Sequence, residues 1–190
     1  MIVAVIMIRR GNNGLNMIRI LGIDPGSRIT GFGIIEVHSN RSVCVAHGCI
    51  KAQQTTLAER LKHIHTELIL IIEQYSPQEM AIESVFVHRN VDSALKLGQA
   101  RGAAIAAVAL QSIDVHEYSP AEIKKSVVGR GNAAKSQVQH MVTAILNLPE
   151  SPQADAADAL AIALCHGHSR DLKILHPQRR SSRGRRWKSL

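Results

Sequence analysis

Cysteine is scarce in this chain, and none of its apolar runs is long. Cys44, Cys49 and Cys165 are the only cysteines among 190 residues. They are odd in number and lack Cys-x-x-Cys spacing, which argues against a disulfide framework or a cysteine zinc site. Reduced thiols of this kind are typical of a cytosolic protein. The apolar start, residues 1–8, is too short to cross a bilayer. Positive charge follows this apolar run, whereas in a signal peptide the positive charge precedes it.

We therefore predict a cytoplasmic protein with no membrane segment. Residues 1–16 precede the first convincing strand. They are predicted to be either an extension that results from an upstream start codon or a disordered arm. One domain over residues 17–168 accounts for most of the chain, because 190 residues suit a single core.

Two other features are missing or rare. None of the ten histidines has the His-x-x-x-His spacing, with a nearby acid, that marks a zinc enzyme. We interpret most of them as surface or core polar residues. Aromatic residues make up only 3% of the chain, so few side chains are available to stack on nucleic-acid bases.

Positive charge, in contrast, is plentiful and unevenly placed. The formal net charge is +8 and the pI is about 9.9, which indicates a polyanionic partner. Residues 166–190 contain eight Lys or Arg and one acid. We predict a basic tail over residues 169–190. It is either a solvated, flexible arm or one that adds salt-dependent affinity for nucleic acid.

The hydrophobic pattern predicts an α/β fold. Strands are expected over 18–24, 31–37, 43–50, 80–85 and 113–117, and helices over 57–72, 91–110, 134–146 and 153–165, with one more beginning at Pro120. Capping boxes at Thr56–Glu59 and Ser119–Glu122 mark two of the helix starts. Hairpins join the first three strands, and crossover helices lead to the other two. The prediction is a mixed five-stranded sheet, three antiparallel then two parallel strands, with helices on both faces.

Four acids stand out because each lies in or at the end of an apolar stretch. Asp24 ends the first predicted strand and Glu83 lies in the fourth, while Asp155 and Asp158 are three apart on one face of the last helix. If the first and fourth strands are neighbours and the helix crosses them, all four carboxylates converge. Such a cluster needs compensation, and oxygen ligands suit Mg²⁺. The arrangement predicts two Mg²⁺ ions, bridged by Asp24, for in-line displacement at phosphorus.

Each acid also has an ordinary structural explanation. Asp24 begins an Asp-Pro-Gly turn, Glu83 could be a solvated strand end, and Asp155 could be a first-turn acid that the helix dipole favours. Asp158 is harder to explain in this way, because alanine, leucine and isoleucine surround it in the sequence. The catalytic interpretation depends on a fold that brings the four together.

Five segments carry the most specific sequence of the chain: Gly-Ile-Asp-Pro-Gly-Ser at 22–27, Ala-Ile-Glu-Ser-Val-Phe at 81–86, and residues 92–102, 135–141 and 153–161. Through these motifs the chain resembles a known family, the RuvC-type Holliday-junction resolvases. The resemblance covers residues 17 to about 168.

The resemblance implies a ribonuclease-H-like fold and a homodimer that binds four-way DNA junctions. Such an enzyme nicks two opposite strands with Mg²⁺, for which Mn²⁺ may substitute, and leaves 5′-phosphate and 3′-hydroxyl ends. It works beside RuvA and RuvB in recombination and repair. The family's acids fall on Asp24, Glu83, Asp155 and Asp158. The helix over 91–110 would supply much of the dimer interface.

The resemblance also implies DNA contacts. The family's junction-stacking aromatic falls on Phe86, for which a core phenylalanine is the alternative. Lysines near the active site fall on Lys124 and Lys135, where phosphate contacts are chemically reasonable. We add Arg130, in the basic loop over 129–132, as a further candidate. One rival interpretation is a related nuclease that acts on RNA or RNA–DNA hybrid. A second is an actin-like phosphotransferase, for which the chain is too short. A third is a junction-binding module without activity.

Overall fold

The computed structural model describes residues 17–39, 41–84 and 91–175, with side chains up to residue 170. The predicted extension over 1–16, Phe86 and residues 176–190 of the predicted tail lie outside the described residues. The strands are β1 (Met17–Asp24), β2 (Ile29–His38), β3 (Arg41–Lys51), β4 (Glu79–Glu83) and β5 (Asp114–Tyr118). The helices are α1 (Leu57–Tyr75), α2 (Val91–Ala109), α3 (Pro120–Val128), α4 (Lys135–Ile145) and α5 (Ala154–Leu175). None of these helices is long and apolar enough to cross a bilayer.

The five strands form one mixed sheet in the order β3-β2-β1-β4-β5. Strand β1 pairs antiparallel with β2 and parallel with β4, and β4 pairs parallel with β5. The short hairpin connections require the antiparallel pairs, while the crossovers through α1 and α2 permit the two parallel pairs. The predicted mixed five-stranded sheet is confirmed, and β1 and β4 are neighbours, as the convergence of the acids requires.

Two helical layers cover the sheet. On one face, α1 and α2 bury residues such as Leu21, Ile23 and Met80. On the other face, α3, α4 and α5 bury Ile20, Ile35 and other side chains that alternate with the first set along the strands. The predicted α/β architecture with helices on both faces is therefore confirmed.

Both predicted capping boxes are present at the starts of α1 and α3. Thr56 Oγ1 accepts a hydrogen bond from the Glu59 backbone N–H at 3.3 Å, and the Glu59 carboxylate accepts one from the Thr56 N–H at 3.1 Å. Ser119 and Glu122 repeat the arrangement at 3.3 and 2.8 Å. These reciprocal bonds satisfy backbone donors that the first helical turn leaves without intrahelical partners.

The predicted end of the last helix is wrong. Helix α5 continues to Leu175, ten residues beyond the predicted end at 165. It continues because the sheet still offers partners there: the side chains of His166 and Arg170 both contact Glu79 of β4. The next residue that would stop a helix is Pro177.

Glycines allow α5 to lie directly on the centre of the sheet. A Cβ on Gly31 of β2 would lie within 3.0 Å of the carbonyl oxygen of Asp155, and one on Gly22 of β1 would come equally close to the carbonyl oxygen of Ala159. Any larger residue at these two positions would push the start of α5 away from the sheet. The glycines in the strands thus determine the distance between the sheet and α5, the helix that carries two of the four acids.

We predict that Gly31→Ala lowers the stability of the protomer by about 1–3 kcal/mol, the usual cost of inserting a group into a packed interior. Urea unfolding at low protein concentration would measure this. Gly102→Ala on α2 is the matched control, because its Cβ would meet no atom within 4 Å. A stability loss that is equal in the two variants would contradict the proposed packing constraint.

Candidate active site

The two strand acids lie at the same edge of the sheet. Asp24 is the last residue of β1 and Glu83 the last residue of β4, one position beyond the paired residues Ile23 and Ile82. Because side chains alternate along a strand, Asp24 shares a face with Gly22, and Glu83 with Ala81. That is the face on which α5 packs.

The two helix acids come from the first two turns of α5. Asp155 is in the first turn, with its backbone against Gly31, and Asp158 follows three residues later, beside Ala159 above Gly22. Asp158 keeps 27% of its side chain exposed. The start of α5 therefore lies over the strand ends that carry Asp24 and Glu83.

The four acids are close enough to interact electrostatically. Burial raises the pKa of Asp24 to about 7, and repulsion from Asp158, Glu83 and Asp155 contributes further. Burial, followed by repulsion from Asp158, likewise raises the pKa of Glu83. As expected for clustered carboxylates, at least one of them holds a proton for part of the time near neutral pH.

Two lysines partly compensate the cluster. Lys135, the first residue of α4, places its Nζ 2.6 Å from Oδ2 of Asp158. This hydrogen bond raises the pKa of Lys135 despite partial burial. Lys124 of α3 lines the same pocket, and both lysines oppose the upward shift in the pKa of Glu83. The protein itself thus supplies positive charge at this site, near Asp158 and Glu83.

A pocket of about 180 Å³ opens at this point. Its polar wall is formed by Glu83, Asp158, Lys124 and Lys135. Its apolar wall consists of side chains from α3, α4 and α5, namely Pro120, Ile123, Val138, Ala161 and Ile162. All four acids offer oxygen atoms, the donor type that Mg²⁺ prefers, so the donor set fits a hard divalent cation.

The other predicted DNA contacts have different outcomes. Arg130 is exposed in the loop between α3 and α4, directly after Gly129, whose φ of 82° closes α3. Its role remains a prediction. Phe86 falls within residues 85–90, outside the described residues.

The sequence did not reveal several residues that shape the site. Thr30 Oγ1 donates a hydrogen bond to the carbonyl oxygen of Gly26 at 2.8 Å and fixes the turn after Asp24. Arg101 Nε donates to the carbonyl oxygen of Glu83 at 3.2 Å, while its guanidinium also pairs with Glu117. For Thr30 the only local signal is a threonine shortly after the Asp-Pro-Gly turn, and no local pattern indicates the contacts of Arg101.

The raised pKa of Asp24 predicts how stability depends on pH in the absence of divalent metal. Ionised Asp24 is disfavoured in the native state, so the penalty is absent below about pH 4, grows up to pH 7 and is complete above it. Asp24→Asn should therefore stabilise the chelator-treated protein at pH 8, by up to about 4 kcal/mol, since one pKa unit corresponds to about 1.4 kcal/mol. The gain should shrink as the pH falls to 4. Thermal unfolding across this range would measure it, and a gain independent of pH would contradict it.

Comparison with known proteins agrees with this geometry. Residues 20–166 match the family described as crossover junction endodeoxyribonuclease RuvC. The protein of that name from Pseudoalteromonas atlantica is 56% identical over 168 residues, covering 87% of this chain and 97% of its own length. The one from Hahella chejuensis is 57% identical over 153 residues, covering 80% and 89% respectively.

Solved structures show the same relationship. T. thermophilus RuvC in complex with a Holliday junction substrate superposes with a TM-score of 0.77 at 33% identity, covering 82% of this chain and 96% of that one. A yeast mitochondrial Holliday junction resolvase, at 15% identity and a TM-score of 0.56, shares the fold. The family match over residues 20–166 includes all four acids, and the chain belongs to the RuvC family of crossover junction endodeoxyribonucleases, with its ribonuclease-H-like fold.

Proposed function

We propose that this chain resolves Holliday junctions in homologous recombination and DNA repair by nicking two opposite strands symmetrically. The products would carry 5′-phosphate and 3′-hydroxyl ends. The observation that carries the proposal is the convergence of Asp24, Glu83, Asp155 and Asp158 on one site, where the pKa of Asp24 is raised to about 7. The substrate is supported by the related T. thermophilus protein, which was solved with a Holliday junction.

The four acids would hold two Mg²⁺ ions, with Mn²⁺ as a substitute. Asp24 is the best candidate for the shared ligand, because all three other acids raise its pKa. Glu83 would complete one ion's ligands, and Asp155 with Asp158 the other's. When bound, such a pair of ions supplies charge stabilisation for the attacking and leaving oxygens at phosphorus. The repulsion at Asp24, which Lys135 only partly offsets, supports a cation at this position.

Lys124 and Lys135 would contact the phosphates on either side of the cut. Lys135 pairs with Asp158 at 2.6 Å, so it would exchange this partner for a DNA phosphate when a metal ion takes the carboxylate. Arg130 is exposed at the end of the same helical layer and would contact the backbone further away, while Phe86 would stack at the junction. Backbone contacts position a nucleic acid without reading its sequence.

Helix α2 offers the surface for the homodimer. Val91 and Leu95 are 68% and 62% exposed, and Gly98 and Gly102 lie on the same helical face with no atom near their Cβ positions. Exposed apolar and small side chains on one face permit a second copy to approach closely. Two-fold symmetry suits the reaction, because opposite strands of an open junction are equivalent.

We predict that Gly102→Arg converts the homodimer to a monomer. The substitution adds a long charged side chain where the protomer itself has open space, so it should leave the fold unchanged. Light scattering coupled to size-exclusion chromatography would measure the mass. Leu70→Arg, at a 52% exposed position of α1, is the control and should remain dimeric. A dimeric Gly102→Arg protein would place the interface elsewhere.

Other partners remain proposals as well. RuvA and RuvB would deliver the junction in the cytoplasm, as the family resemblance implies. The nuclease domain would comprise residues 17–168. The basic tail, with most of the net charge of the chain, would add affinity for DNA that weakens as salt rises.

The activity is tested by comparing a synthetic four-way junction, a linear duplex and an RNA–DNA hybrid in Mg²⁺. We expect efficient cleavage of the junction alone, with matching nicks on opposite arms. Asp155→Asn should lower the cleavage rate by roughly 1000-fold, the scale of losing a group that stabilises transition-state charge. It should keep junction affinity, because less negative charge then faces the phosphates.

Glu73→Gln removes an exposed acid of α1, far from the site, and should cleave normally. Preferential cutting of the hybrid would favour the rival ribonuclease interpretation. Retained cleavage by Asp155→Asn would remove Asp155 from the catalytic set. Binding of junctions without cleavage by the unaltered protein would leave only a junction-binding module.

A further inference from the structure

The peptide group that follows Glu83 is held at both of its polar atoms. The N–H of Ser84 donates to the carbonyl oxygen of Tyr118 in β5 at 2.9 Å, and the Ser84 hydroxyl donates to the same oxygen at 3.1 Å. In a trans peptide the carbonyl points the other way, and that of Glu83 accepts a hydrogen bond from Arg101 Nε at 3.2 Å. Because the peptide group is planar, these bonds fix its orientation, and with it the direction in which the Glu83 side chain leaves the strand.

Arg101 reaches this carbonyl from the opposite face of the sheet. The side chain of Glu83 shares its face with Ala81, which belongs to the core beneath α5. Arg101 belongs to α2, whose residues Ala100 and Ala104 are fully buried against the other face. The arginine therefore approaches the main chain of Glu83 from behind rather than the carboxylate itself.

A second partner holds the guanidinium of Arg101. Its Nη2 lies 2.6 Å from Oε2 of Glu117 in β5, and only 19% of the arginine side chain is exposed. Glu117 alternates with Tyr118, which belongs to the core beneath α5, so Glu117 lies on the α2 side of the sheet. Since the guanidinium is planar and rigid, pairing with Glu117 directs the Nε–H at Glu83.

The hydrogen bond from Arg101 lies where the strand pairing of β4 with β1 has ended. The last pair between these strands is Ile23 with Ile82, and Glu83 is one position beyond it. Arg101 thus takes the place of a strand partner on the side of Glu83 that faces away from β5. Metal ligands depend on such support, because Mg²⁺ demands near-ideal geometry and partners outside the ligand shell orient the ligands.

We propose that Arg101 is a positioning residue for the carboxylate site. It fixes Glu83 as a metal ligand through the main chain, so it controls the affinity for the divalent ion and the rate of cleavage, not the affinity for DNA. This inference rests on the proposed function, in which Glu83 holds one of the ions.

The test is Mn²⁺ binding to the full chain without DNA, measured from the electron paramagnetic resonance signal of the free ion. Arg101→Met keeps an unbranched side chain but removes the donor. It should weaken Mn²⁺ binding by about 10- to 100-fold, the usual effect of losing an outer partner. The sign is informative, because loss of a positive charge near the site would by itself favour a cation.

Lys96→Met is the matched control. It removes the same charge from the same helix, but Lys96 pairs with Asp92, so Mn²⁺ binding should equal that of the unaltered chain. Arg101→Lys keeps the charge but has one nitrogen for two partners. Its Mn²⁺ affinity should also fall below that of the unaltered chain, and this variant carries the test if Arg101→Met does not fold.

Junction cleavage supplies the second readout. Arg101→Met should lower kcat and raise the Mn²⁺ concentration needed for half-maximal rate, with KM for the junction unchanged. Unchanged or tighter Mn²⁺ binding by the folded variant would overturn the proposal and leave a structural link between α2 and β5. A raised KM with normal Mn²⁺ binding would overturn it in favour of a DNA contact. If the unaltered chain cut no junction, the proposed function would fail, but Mn²⁺ binding would still test Arg101.

Discussion

The close contact between α5 and strands β1 and β2 is the constraint on which the rest of the structure depends. Glycines 22 and 31 remove the side chains that would otherwise separate helix and sheet, and the backbone of α5 occupies that space. This contact places Asp155 and Asp158 over the strand ends that carry Asp24 and Glu83. A helix lifted by the thickness of one methyl group would still complete the core but would separate the helix acids from the strand acids.

The close approach has an electrostatic cost, because four carboxylates share a partly buried site. The protein tolerates it through Lys135, which pairs with Asp158, and through a proton that Asp24 retains near neutral pH. Both forms of compensation are reversible, since a bound divalent cation can displace the proton from Asp24 and Lys135 from Asp158. A site of this kind is poised to accept divalent cations and phosphates, at the expense of stability when it has neither.

Helix α5 carries polar chemistry at both ends and an apolar centre. Between Asp158 and His166 its residues are buried without exception, and beyond them His166 and Arg170 meet Glu79. The contacts of His166 and Arg170 with Glu79 hold this part of the helix against β4. At the start of the helix, Gly22 and Gly31 allow close packing against β1 and β2. Both attachments act on the position of one rigid element, so the geometry of the carboxylates depends on contacts along the whole helix.

Local patterns in the sequence determined most of the elements. Apolar runs and turn residues predicted β1 to β3, the capping boxes set the starts of α1 and α3, and the hairpins and crossover helices predicted three antiparallel and two parallel strands, because each of these signals depends on residues close together in the chain. The four acids were identifiable for the same reason: each is a charge within an apolar run. Tertiary structure alone decided the rest, namely the continuation of α5 past residue 165, the pairing of Lys135 with Asp158, and the meeting of His166 with Glu79. Those contacts join residues up to 91 positions apart, and their energies depend on distances that no local pattern encodes.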